Sequence, residues 1–172
     1  GAAYVCSGVG FHTSSGSILL STADAGVTGV SGAVSISTGT ASTFGGASGS
    51  VSCESGAARD STAGAVIITV GSTTRGDGGD AELHAGRGCG SQCNGGAVLL
   101  TSGESVATTS GTVFASTCCA TLASGTIVCS TGTSTAGRSG SVVLSTGNAC
   151  TGVAGATAIC VGAGSDTTGD VV

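Results

Sequence analysis

Gly140-Ser-Val-Val-Leu-Ser-Thr-Gly147 is the stretch that decides how the chain is organised, because it recurs from one end to the other. Gly125 to Gly132 reads Gly-Thr-Ile-Val-Cys-Ser-Thr-Gly, Gly32 to Gly39 reads Gly-Ala-Val-Ser-Ile-Ser-Thr-Gly, and Gly96 to Gly103 reads Gly-Ala-Val-Leu-Leu-Thr-Ser-Gly. Taking the first glycine as position zero, the octet starts at Gly16, Gly32, Gly49, Gly64, Gly79, Gly96, Gly111, Gly125, Gly140, Gly155 and Gly169, with a further start at Ala2. Spacings run from 14 to 17 residues, a mean near fifteen. A period carried through a whole chain is the signature of a repeat architecture and outranks any local pattern.

Within the octet, position two is β-branched almost throughout (Ile18, Val34, Val51, Val66, Val98, Val113, Ile127, Val142) and position four is Leu, Ile or Cys in most copies. Residues two apart share one face of an extended strand. Position seven is Gly in most copies, which suits a corner with positive φ. Position nine is often a small residue (Ala25, Ala41, Ala58, Ala120, Ala149), which suits a thin core. These features predict an all-β chain, a single β-solenoid over residues 1–172. It would have about eleven coils of roughly 15 residues, a Val/Leu core and Gly corners. At one strand spacing per coil the rod would be about 50 Å long.

Composition agrees with a continuous ladder. Pro is absent, where roughly nine would be expected at average usage, and Pro is confined to sheet edges and bulges. Only 8% of residues are charged and mean hydropathy is +0.48, unlike a solvated low-complexity segment. The net charge of -5 argues against nucleic-acid or anionic-membrane surfaces, which need clustered Lys and Arg. No apolar run approaches the roughly 18 residues of a membrane helix, so no membrane insertion is expected. Nine Cys suggest an oxidising, extracellular setting, secreted or at a cell surface.

Position three points away from the predicted core and should be polar if it meets water. Nine of its twelve residues are apolar, among them Val5, Leu19, Ile67, Leu99, Phe114, Val128, Val143 and Val172. Soluble monomers rarely expose a continuous apolar stripe, so these eight form the expected lateral interface with another chain. The chain shows no polar or helical cap at either end, so the predicted domain is uncapped. Ala3, Tyr4 and Val5 at one end, with Val171 and Val172 at the other, form the expected end-to-end interface.

Few residues suggest chemistry. His84 lies near Glu82 and Asp80, but a solvated surface histidine is the simpler account, and a zinc site would need more ligands than this region offers. Neither a metal nor another cofactor is expected. The stretch from position eight to the next octet is the second arm of each repeat, and Cys89 and Cys93, with three residues between them, are the candidate disulfide closing a long one. Cys118 and Cys119 would find partners in adjoining coils. Asn148-Ala-Cys150 is the rare Asn-X-Cys sequon, making Asn148 the candidate glycosylation site, and the many Ser and Thr are candidate O-glycan acceptors. Arg75-Gly76-Asp77 spells an integrin-binding tripeptide, and Asp77-Gly-Gly-Asp80 resembles half of a calcium-binding nonapeptide that occurs here once. No nucleophile, base and oxyanion hole occur as a set, so no enzymatic activity is expected.

The octet resembles the Gly/Ser/Thr-rich β-solenoid arrays of secreted and surface proteins. The resemblance implies a self-assembling subunit of an extracellular fibre or filament, with copies of itself as partners. The chain is also similar to short-coil β-helical ice-binding proteins. That second likeness implies an ice-binding ladder of Ser and Thr at positions five and six, Thr131 among them. Glu54 and His84 interrupt position five, and Val70 and Ala85 interrupt position six.

Overall fold

The structure, a computed structural model, describes residues 1–12, 14–42 and 45–162. Among them there is no helix and no strand. The predicted β-solenoid is therefore not what the chain forms. Its repeat nonetheless governs the backbone. The chain bends once per repeat, at 11–12, 27–28, 45, 59–61, 74–76, 90–92, 106–108, 121–122, 135–137 and 150–152. Every bend lies between one octet and the next.

What replaces the coil is a series of closed loops. A solenoid would bring position zero of each repeat over position zero of the repeat before it. Here position zero returns to the end of the preceding octet instead. Gly32 lies against Thr22, Gly49 against Thr38, Gly125 against Thr117, Gly140 against Thr131 and Gly155 against Thr146. Each of those threonines is position six. From Gly16 to Gly155, a Cβ built on the position-zero glycine would sit 3.0–3.8 Å from the preceding octet's last residues, tight at Gly32, Gly79, Gly96 and Gly125 and an ordinary contact at the others. In three repeats the closure includes a backbone hydrogen bond. The Gly16, Gly96 and Gly111 amides donate to the Gly8, Gly86 and Gly103 carbonyls at 3.1, 2.8 and 2.9 Å. Each arm thus closes on its own start, and among the described residues no strand ladder forms.

The corners move accordingly. Position seven was the expected turn, yet none of its described glycines has positive φ, and those from Gly39 to Gly162 have nothing in the space a Cβ would take. Positive φ occurs at Gly45, Gly46, Asp60 and Gly152, all in the second arms. Three arms are also pinned by a position-nine hydroxyl. Thr73 Oγ1 accepts from the Arg75 and Gly76 amides at 3.4 and 3.2 Å. Ser105 Oγ accepts from the Thr108 amide at 3.0 Å, and Ser134 Oγ from the Gly137 amide at 3.1 Å. These are local side-chain turns of the kind Ser and Thr offer in place of a ladder. In these three repeats position nine serves the bend, where a thin core had been expected.

The chain divides into two units, Gly1–Leu83 and His84–Val172. In the first, closed loops run from Gly16 to Gly79, the last with Gly79 against Val70. In the second they run from Gly96 to Gly155. Neither unit contains a buried hydrophobic residue among those described, so the predicted Val/Leu core is absent. No helix of the described residues is long and apolar enough to cross a membrane.

Candidate self-association surface

The octet keeps its predicted alternation only in part. Position two, from Ile18 to Val142, is 49–65% exposed, while the described apolar position-three residues from Val5 to Val143 are 75–87% exposed. The β-branched residue is thus the more sheltered and the next one faces outward, as strand periodicity requires. Position four fails the expectation. Leu20, Ile36, Leu100 and Leu144 are 72–74% exposed, close to position three, where a core face was predicted. The reason is the missing ladder: with no second layer to cover it, one face of an octet cannot hide two rows of side chains.

Seven of the eight residues assigned to the lateral interface are therefore large, apolar and exposed: Val5, Leu19, Ile67, Leu99, Phe114, Val128 and Val143. Val172 lies outside the described residues. Of the predicted end-to-end contact, Ala3, Tyr4 and Val5 are exposed, and Val171 and Val172 lie outside the described residues. The electrostatic setting of these octets is nearly blank. All four Arg lie in the arms, at Arg59, Arg75, Arg87 and Arg138, and ionisable carboxylates enter a described octet only at Glu54, Asp80 and Glu82.

The predicted disulfide is not formed. All nine cysteines are free and exposed, Cys89 and Cys93 included. The Cys93 amide donates to the Gly90 carbonyl at 3.1 Å, and the Cys93 Sγ occupies the space beside Gly90, 2.7 Å from where a Cβ would stand. This tight turn lays the thiol over Gly90 without joining it to Cys89. Asn148 is exposed, just ahead of the bend at 150–152. His84, Glu82 and Asp80 do not form a metal-binding group; among the described residues there is no cluster of three or more His, Cys, Asp or Glu that could hold one.

Two contributions escaped the sequence reading. One is the position-nine hydroxyl, signalled by Thr73-Thr-Arg-Gly76 and Ser134-Thr-Ala-Gly137, a hydroxyl three residues ahead of a glycine. The other is the pairing of position-six threonine with the next position-zero glycine, whose signal was the regular return of Gly at position zero. That pairing engages Thr22, Thr38, Thr117, Thr131 and Thr146 within their own loops. No protein family, no curated protein and no solved structure matches the chain, so its own residues carry the functional reading.

Proposed function

We propose that the chain is a non-catalytic structural protein whose working form is an assembly of copies of itself, joined sideways through the exposed apolar residues of its octets. The observation that carries this is surface. The chain exposes 17035 Å². A folded monomer of 15.7 kDa would expose about 7,300 Å² and the extended chain about 23,000 Å². A strongly charged chain could remain solvated in that state, but this one is 8% charged and 40% hydrophobic. Apolar surface left in water is driven to find more apolar surface, and with no core of its own the nearest source is another copy. Fibre formation fits a repeat that offers the same contact many times along one chain.

Sedimentation velocity with negative-stain electron microscopy over a wide concentration range tests the proposal. The expected result is concentration-dependent growth into elongated assemblies. Dispersed monomers at every concentration would sink it.

A further inference from the structure

Arg75-Gly76-Asp77 lies in the second arm between the octets that start at Gly64 and Gly79, and the backbone bends over 74–76. Thr73 Oγ1 holds that bend by accepting from the Arg75 and Gly76 amides. Arg75 and Asp77 are both exposed. Neither the Arg75 guanidinium nor the Asp77 carboxylate has a hydrogen bond or ion pair within the described chain. The other three Arg have different surroundings. Arg59 is followed directly by Asp60, and neither Arg87-Gly-Cys89 nor Arg138-Ser-Gly140 brings an acid.

The glycines around Asp77 are not required by the loop itself. A Cβ at Gly76 would meet Thr73 Oγ1 at 3.6 Å, an ordinary contact, and one at Gly78 would meet nothing within 4 Å. Neither residue has positive φ. Gly88 in the next arm is different, because there the backbone itself excludes a side chain. At 76 and 78 glycine leaves open space beside two opposite charges, which a partner seated against the backbone would use.

We propose that Arg75-Gly76-Asp77 is a recognition site for an adhesion receptor of the integrin class, whose tripeptide it spells. The receptor would take the Asp77 carboxylate on a bound divalent cation and the Arg75 guanidinium on a carboxylate of its own. Hard divalent cations favour carboxylate oxygens, and the planar guanidinium favours a carboxylate partner. Two residues of chain span at most about 7 Å, so one pocket must receive both charges. A surface of one sign would attract one of them and repel the other. The Thr73 turn fixes the backbone before binding, which lowers the ordering cost. The site stands whether or not copies of the chain assemble.

Surface plasmon resonance on the immobilised full-length chain tests this, with a purified integrin ectodomain that reads Arg-Gly-Asp, in manganese ions, as the probe. Saturable binding is expected, abolished by a chelator and competed by a soluble Arg-Gly-Asp peptide. Asp77→Glu keeps the charge but moves the carboxylate by one methylene, and should weaken binding about tenfold or more. Gly76→Ala should do the same while the amide at 76 stays protected by Thr73, because the turn has room for the methyl group and the partner does not. Thr73→Ala should weaken binding about threefold, by loosening the turn alone. Arg138→Ala, in an arm without the acid, should bind as the natural chain does. Absence of binding would overturn the proposal. So would binding that survives the chelator, or that Asp77→Glu and Gly76→Ala leave unchanged.

Discussion

At the scale of single residues, Gly88 shows what the closed loop demands. A Cβ at this position would lie 2.6 Å from the Asn94 carbonyl oxygen and 2.9 Å from that of Cys93, distances a side chain does not tolerate against backbone. Gly86, in the same loop, has nothing within 4 Å. Gly88→Ala is therefore expected to force the loop open and break the 2.8 Å hydrogen bond from the Gly96 amide to the Gly86 carbonyl. An exposed bond of this kind contributes about 1 kcal/mol, so exchange of the Gly96 amide should quicken about fivefold. Gly86→Ala should leave it within experimental error. Hydrogen exchange followed by NMR reads both. Equal effects from the two alanines would mean that the steric limit at Gly88 does not hold the loop.

At the scale of the element, the arm depends on its hydroxyl as much as on its glycines. Thr73 Oγ1 serves two amides, those of Arg75 and Gly76, and Thr74 next to it serves none that the structure records. Thr73→Ala should return the Gly76 amide to solvent, raising its temperature coefficient to that of an exposed amide, at a cost of about 0.5–1 kcal/mol to the local turn. Ser134→Ala should do the same at Gly137. An unchanged Gly76 amide in Thr73→Ala would show that the bend is held by the glycines alone. Much of this element was legible in the sequence. Gly at position zero, the β-branched residue at position two and the outward apolar residue at position three are local properties, and local properties survive in the structure. What an octet lies against is not local. Alternation says which side chains share a face but not what covers that face, and the β-solenoid followed only if each arm led back over the octet's start. The arms vary in length and carry their own hydroxyl-glycine turns, so they close early. Thr73-Thr-Arg-Gly76 held that information, and its four letters resemble ordinary low-complexity sequence. The apolar position-three residues were legible only as a row of letters; their exposure became clear once the loops were seen to leave them uncovered.

Across the whole molecule, two opposing terms set how readily copies meet. The exposed apolar octets draw chains together, and the net charge of -5 at pH 7 holds them apart. The first term changes little with mild acid, whereas the second vanishes near pH 4.5, the isoelectric point. Lowering the pH from 7 toward 4.5 removes negative charge, so repulsion falls and association should quicken. Below the isoelectric point the chain turns positive, repulsion returns, and association should slow again. Salt at pH 7 should mimic the first part of this change, since the Debye length shortens to about 10 Å at 0.1 M. Light scattering during a pH titration, repeated at two salt concentrations, reads the whole profile. A peak near pH 4.5 that flattens in salt is the expected outcome. The Glu82→Val variant tests how far overall charge sets the rate. If overall repulsion alone controlled growth, losing one of nine acidic residues would change the rate slightly and shift the peak slightly upward in pH. A flat profile in both chains would mean that charge does not oppose assembly at any scale.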